Sequence, residues 1–211
     1  MKQFLIYLLI LILCILILYP REKNIIYIPN FLSSKDFKLV KECLKKNKNG
    51  FKYESFRKVR PLFNNSNYNM NHYNRNIYDI FYSAKYISKI NNHCQKTLYK
   101  SSFPIEHRIY PTGSKGMKWH RDTLMYNLPQ YEAVFTINNT SDSVTEWIHD
   151  DYKKSQMTEP NSLLLVKAQG DYHNVTPVNQ GSREILKLIY TQSNNPNVNF
   201  YKELERFRIK N

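Results

Sequence analysis

The sequence predicts an α+β protein. A jelly-roll or β-sandwich core carries helices packed on it from the N-terminal side, and one transmembrane helix precedes both. Three observations carry this. Phe4–Tyr19 is an apolar run of 16 residues without a charge. Between Phe37 and Cys94, apolar residues recur three or four apart, the period of a helix. From Phe103 onward the chain changes to short apolar or alternating runs, parted by Gly, Pro, Asn, Asp and Ser, which are strand and turn signals. Helices followed by strands make an α+β layout.

The first run, FLIYLLILILCILILY, is bounded by Lys2 and by Pro20-Arg21. As a helix it spans about 24 Å, short of a hydrocarbon core of roughly 30 Å. Snorkelling of Lys2 and Arg21 or a thin membrane absorbs the difference. A cleaved signal peptide is the alternative, but Leu18, Tyr19 and Pro20 supply no small-residue cleavage site. The expectation is therefore an uncleaved, single-pass signal anchor over residues 1–20 and one domain over 21–211. Arg21 and Lys23 after the run outweigh Lys2 before it, which leans towards a cytoplasmic domain. Sequons at Asn64, Asn138, Asn139 and Asn174 suit a lumenal one, as in the endoplasmic reticulum or another endomembrane. The side of the membrane stays open.

Next, IIYI (25–28) reads as a strand stopped by Pro29. Ser33 with Asp36 resembles an acidic capping box, and Phe37, Val40 and Leu44 form an apolar stripe behind it. Residues 46–76 are polar and basic with scattered aromatics, and read as a loop or irregular strands. A second helix is expected over about 76–98 from Ile77, Ile80, Phe81, Ala84, Ile87 and Cys94. His93 on it reads as solvated or packed. Five to seven short strands follow, among them EHRIYPTG, YEAVFTIN, NSLLLVKAQG and REILKLIY. The tail NVNFYKELERFRIKN reads as an edge strand or a short helix.

Composition narrows the function classes. Five glycines and no P-loop argue against nucleotide-binding turns. No CxxC or Cys/His zinc spacing occurs, and Cys43 and Cys94 read as reduced, partly buried thiols rather than a disulfide. A net charge of +14 suits an acidic partner, an anionic membrane or nucleic acid, or simply a lysine-rich surface. The lysines form no single basic arm, and no nucleic-acid recognition motif is present.

The chemistry concentrates in MKWHRDTLMY (117–126). On a strand, His120 and Asp122 point to the same face. One such His-x-acid pair arises by chance in roughly 40% of chains of this composition, so the tripeptide needs support. A mononuclear iron site takes two imidazoles and one carboxylate and leaves its other positions open. The third ligand must come from a distant strand. His149, in the charged stretch EWIHDDYKK, reads as surface. His173 lies between two apolar runs, either as a hydrogen-bonded strand-end histidine or as the ligand. Ten residues later stands Arg183, at the start of a β-like run. A guanidinium inside a barrel is costly, and a co-substrate carboxylate held by its fork accounts for it.

The pattern resembles the Fe(II)/2-oxoglutarate-dependent dioxygenases, and among them the prolyl 4-hydroxylase-like branch. YIPNFLSSKDFKLVKECL resembles the strand and helix that open this branch's domain. RIYPTGSKGMKWHRDT resembles its Y-x-x-G…H-x-D segment, and GDYHNVTPVNQGSREILKLIY its H-x-V-x-P-V-x-x-G-x-R segment. The resemblance covers roughly residues 25–192 and implies a double-stranded β-helix, the jelly roll of that family. It implies that His120, Asp122 and His173 bind Fe(II). It implies that Arg183 holds the distal carboxylate of 2-oxoglutarate, where collagen-type enzymes use lysine. Tyr110 matches a tyrosine that bonds the same carboxylate; a core role is the alternative. Thr176 and Tyr190 have no assigned direction.

The implied reaction consumes O2 and 2-oxoglutarate, releases succinate and CO2, and hydroxylates an unactivated C–H, with ascorbate as a candidate reductant. The implied substrate is a peptidyl residue such as proline; lysine or a small molecule is the variant. The alternative from another class is a non-catalytic, membrane-tethered jelly-roll binding module. Ile189 stands where AlkB-type nucleic-acid demethylases have a second arginine. NNTSDSVTEW (138–147) replaces the family's usual turn, which bears on the substrate side. Arg121, between the two ligands, is expected to face away from the iron.

Overall fold

The computed structural model describes residues 4–7, 23–47, 50–54, 56–62 and 71–207. Apart from the helical residues 4–7, the expected membrane anchor lies outside the described residues. Among those described, no helix is long and apolar enough to cross a membrane.

Twelve strands and four α-helices are described. The strands are β1 (Ile25–Ile28), β2 (Lys52–Glu54), β3 (Arg57–Pro61), β4 (Tyr99–Lys100), β5 (Glu106–Pro111) and β6 (Met117–His120). They continue with β7 (Tyr131–Asn139), β8 (Thr145–His149), β9 (Tyr152–Gln156), β10 (Leu163–Lys167), β11 (Tyr172–Val175) and β12 (Ser182–Thr191). The major sheet has the order β1-β10-β7-β12-β5-β3-β2, with β4 paired to β12; the minor sheet has the order β6-β11-β8-β9. All pairings are antiparallel. Two antiparallel sheets with helices on one of them are the jelly-roll architecture that the strand signals predict.

The helices are α1 (Ser34–Lys46), α2 (His72–Phe81), α3 (Ala84–Cys94) and α4 (Val198–Leu204). Ser33 caps α1 and accepts from the Asp36 amide at 3.2 Å, while Val40, Cys43 and Leu44 are buried beneath it. The long helix expected over 76–98 is two. Ser83 adopts extended backbone at φ −65° and ψ 152°, ending one helix and starting the next. Tyr82, just before the break, donates to the Ile189 carbonyl at 3.1 Å and packs edge-on against Tyr190. The second helix ends at Gln95, which is left-handed at φ 52°. The 46–76 stretch supplies the β2–β3 hairpin, which extends the major sheet through β5. After Phe103 there are eight strands, more than expected. EWIHDDYKK is no loop: Asp150 and Asp151 take positive φ, 49° and 64°, and turn β8 into β9. The tail folds as α4 and a short 3₁₀ turn.

Alternation along the major sheet divides its two faces. Tyr131, Ala133 and Phe135 of β7, Leu163 and Leu165 of β10, and Leu186, Leu188 and Tyr190 of β12 join the helices in one apolar core. Their neighbours Glu132, Val134, Leu164, Val166, Ile185 and Lys187 face a cavity instead. Phe135 is fully buried, with rings of Phe31, Phe37 and Phe81 at centroid distances of 6.2, 5.9 and 4.9 Å. Truncating it empties a site that three elements cannot jointly refill. Phe135→Ala is expected to destabilise the fold by about 3–5 kcal/mol, read from urea unfolding midpoints.

Candidate metal centre

Two strands of the minor sheet bring the sequence's best candidates together. β6 and β11 pair so that His120 lies directly opposite His173. Their rings sit 4.3 Å apart between centroids. Asp122, just past the end of β6, reaches both: Oδ1 is 3.6 Å from His120 Nε2, and Oδ2 is 3.5 Å from His173 Nε2. One ligand atom from each of the three residues lies within 4.8 Å of the others.

The backbone fixes which nitrogens are offered. His120 Nδ1 is 2.7 Å from the Lys118 carbonyl and His173 Nδ1 is 3.1 Å from the Asp171 carbonyl. A carbonyl only accepts, so each Nδ1 carries the proton and each Nε2 presents a lone pair towards Asp122. His120 Nε2 is buried and has no hydrogen-bond partner. A divalent metal with nitrogen and carboxylate ligands fits this donor set and satisfies that orphan atom.

Side-chain titrations follow the crowding. The neighbouring Asp122 carboxylate raises the His120 pKa, and burial lowers that of His173. Burial works to raise Asp122, but His120, Lys187 and His173 together hold it below its ordinary value.

The loop from Ala168 to Asp171 supports the ligands from behind. Gln169 donates to the Asp122 carbonyl through its amide and through Nε2, at 3.3 and 2.9 Å. Asp171, whose carbonyl orients His173, is itself held by Asn24 at 2.7 Å and by His149 at 2.9 Å. His149, expected at the surface, is three-quarters buried in this contact because β8 is a paired strand rather than a loop.

The cavity beside the ligands lies between the two sheets and is lined by Arg183, Tyr110, Arg108, Lys187, Glu132 and Thr176, among others. Arg183 stands opposite Tyr110 in the β12–β5 register. The guanidinium is buried, its Nε has no hydrogen-bond partner, and no carboxylate among the described residues pairs with it. Burial lowers its pKa, and Tyr110 opposes that shift. An anion in the cavity would complete it. The Tyr110 hydroxyl lies 3.4 Å from Arg57 Nη1 and 3.5 Å from Arg108 Nη1. Burial pushes that phenol up, while Arg108, Arg57 and Arg183 pull it lower on balance. Gly181, in the turn before Arg183, has φ +69°, and an added Cβ would lie 2.1 Å from the Thr140 carbonyl.

Thr176 faces the cavity and its hydroxyl accepts from the Val144 amide at 2.9 Å. Tyr190 turns the other way and donates to the Phe81 carbonyl within the core. Trp147 stands opposite His173 in register and is half-buried. Arg121 does face away from the ligands, with its guanidinium 5.9 Å from the ring centre of Tyr172.

Three cavity charges, Lys187, Glu132 and Arg108, stand outside the expectations drawn from the sequence. Lys187 pairs with buried Glu132, and Arg108 makes a two-pronged pair with buried Glu106, donating from Nη2 to Oε1 at 2.8 Å and from Nε to Oε2 at 3.0 Å. The signal was there as i, i+2 and i+4 spacing: Arg183 with Lys187, and Glu106 with Arg108 and Tyr110, share a face. A second, polar recess meets His120 and Asp122 from the side of β3 and the C-terminal segment, where Arg57, Phe103, Glu203 and Arg206 line it.

No protein-family model matches the chain, and no curated protein matches it by sequence. Solved structures do match its fold. One is an oxidoreductase of the 2OG-Fe(II) oxygenase family from Burkholderia pseudomallei, with TM-score 0.68 and 10% identity over 83% of this chain and 87% of that one. Another is a Trichoplax adhaerens prolyl hydroxylase in complex with a hypoxia inducible factor oxygen degradation domain peptide fragment. It has TM-score 0.60 and 14% identity over 80% and 84% of the two chains. A third is HygX from Streptomyces hygroscopicus with nickel, 2-oxoglutarate and hygromycin B bound, with TM-score 0.59 and 8% identity over 82% and 84%. The chain thus has the fold of 2OG-Fe(II) oxygenases, prolyl hydroxylases among them.

Glu106 gives a pH test of the charged wall. Burial would raise its pKa, but Arg108, Lys187 and Arg206 bring it down to about 2. A lowered carboxylate pKa stabilises the fold fully above the unfolded value, and the gain fades as pH falls through the folded one. Stability is therefore expected to drop between about pH 5 and pH 2, by ~3 kcal/mol from this group. Glu106→Gln should be destabilised at neutral pH and flatten that slope, measured by denaturant titration at each pH.

Proposed function

We propose that this chain is an Fe(II)- and 2-oxoglutarate-dependent dioxygenase that hydroxylates an unactivated C–H, on a peptidyl residue such as proline. One observation carries the reading. Two imidazoles and a carboxylate converge at one end of a cavity, and a buried guanidinium without a carboxylate partner lines the same cavity. The triad alone suits many metals. The added arginine calls for a ligand that is anionic and sits beside the metal.

His120, Asp122 and His173 would hold the iron. Arg183 would take the distal carboxylate of 2-oxoglutarate, with Tyr110 beside it. Iron and co-substrate supply O2 activation coupled to decarboxylation: one oxygen atom enters succinate, and the other becomes the hydroxyl of the product. The chain's own residues do the rest. The Lys118 and Asp171 carbonyls keep both imidazoles in the ligating tautomer. Val134, Leu164, Val166, Val175, Val178 and Ile185 supply apolar walls to the cavity, and a dry wall protects a reactive centre from water.

The peptide reading draws support from the Trichoplax neighbour and its bound peptide fragment. The polar recess beside His120 would give a substrate a route to the metal, and its arginines suit an acidic peptide. The N-terminal apolar run supports a single-pass membrane protein, with residues 21–211 outside the bilayer.

Three measurements test this. With Fe(II), ascorbate and 2-oxoglutarate, the protein is expected to form succinate slowly without a peptide and faster with a hydroxylatable one. His173→Ala should abolish both metal binding and succinate formation. Arg183→Ala should keep the metal but raise the 2-oxoglutarate concentration for half-maximal turnover by about 10–100-fold, the worth of a charge-assisted hydrogen-bonded pair. Iron binding that survives His173→Ala unchanged, with no succinate from the parent chain, would sink the reading.

A further inference from the structure

The alternation that turns His120 and His173 inward turns their neighbours out. Trp119 of β6 and Tyr172 of β11 stack on the outer face of the minor sheet, with centroids 5.9 Å apart and planes 13° from parallel. Arg121 lies over the same tyrosine. Tyr172 is directly opposite Ile148, and Ile148 is directly opposite Lys153. A row of Trp, Tyr, Ile and Lys therefore crosses all four strands. Tyr172 is 43% exposed and Ile148 40%, and neither the core nor the metal centre uses this face. Glu146 sits on the same face but is engaged by Lys153 at 2.8 Å and by Asn174 at 3.2 Å. Arg121 has no carboxylate partner among the described residues. Asp150 and Asp151 bound the row at the hairpin tip.

A second observation says what lies nearby. The chain enters the domain beside this face. The side chain of Asn24, just before β1, bonds to Asp171, the residue preceding Tyr172. The apolar run ends at Tyr19, five residues before Asn24. Five residues reach at most about 18 Å. If that run is embedded in a bilayer, the Trp119–Tyr172 face is tethered close to the lipid surface. Aromatic rings with an adjacent guanidinium are the side chains that partition into the membrane–water interface.

We propose that the outer face of the minor sheet, centred on Trp119, Tyr172 and Ile148, docks on the phospholipid surface into which the chain's own N-terminal run inserts. This rests on the membrane-anchor reading above. Docking would fix the domain's orientation, with the metal centre on the far face of the same two strands, one sheet's thickness from the lipid headgroups.

Fluorescence of the full chain in vesicles tests it. The chain has two tryptophans, Trp119 and Trp147, the second on the inner face. Docked residues of this kind reach about 5–10 Å into the headgroup–acyl boundary, so lipids brominated high on the acyl chain should quench Trp119 about twofold. Full-length protein, Trp147→Phe and Trp119→Phe are reconstituted in phosphatidylcholine vesicles with and without phosphatidylserine. Quenching is expected in the first two proteins and absent in Trp119→Phe. Comparing the parent chain with Trp119→Phe gives the answer even if Trp147→Phe folds poorly. Tyr172→Asp should weaken the quenching while the protein still floats with the vesicles. Flotation with Trp119 unquenched overturns the docking and spares the anchor. Failure to float overturns both, and neither result bears on succinate formation.

Discussion

His120 and His173 stand 53 residues apart in the chain and face each other across a single antiparallel strand pair. The candidate metal centre depends on that register. Side chains alternate faces along a strand, so a slip of one residue would turn an imidazole out to solvent and draw a tyrosine or tryptophan inward. β11 is pinned on its other side by β8, over four residues. It is also pinned by the preceding loop, where Gln169 and Asp171 bond to the backbone of one ligand and the imidazole of another. The register is thus held by hydrogen bonds outside the ligand set.

Once the register is set, electrostatics shape the cavity. Three cations line it, Arg108, Lys187 and Arg183, and burying cations is costly unless they are paired. Arg108 has Glu106 and Lys187 has Glu132. Burial leaves the Glu132 pKa raised even with Lys187 beside it. Arg183 is the exception, and its burial is the clearest sign that the cavity is built around an anion.

Much of this was legible along the chain. His-x-Asp, a later histidine followed by V-x-P-V-x-x-G-x-R, and the alternating runs after Phe103 each state a local rule that the fold obeys. Gly181 illustrates why: its positive φ and the nearby Thr140 carbonyl leave no room for a side chain. The misses were non-local. Ser83 breaks the long helical period because Tyr82 is drawn to β12, far away in sequence. Asp150-Asp151 reads as a charged loop until the pairing of β8 with β9 requires two left-handed residues. Glu132 and Lys187 are 55 residues apart, and only the pairing of β7 with β12 makes them partners. Charge pairs across a sheet follow from register, which composition and periodicity do not encode.

One chain of contacts links the N-terminal entry to the chemistry. Asn24 accepts from the Lys167 amide and donates to the Asp171 carboxylate. His149 holds the other carboxylate oxygen, and the Asp171 carbonyl receives the His173 proton. Gly170 leaves space for this contact, since an added Cβ would lie 2.9 Å from the Asn24 Cβ. The residue at which the chain enters the domain therefore helps to orient a candidate metal ligand. Loss of the Asn24 amide would free the Asp171 carboxylate on one side, and a partner that orients an imidazole commonly matters 10–100-fold in metal affinity. The chain's entry into the domain and the candidate metal centre thus meet at a single turn between β10 and β11.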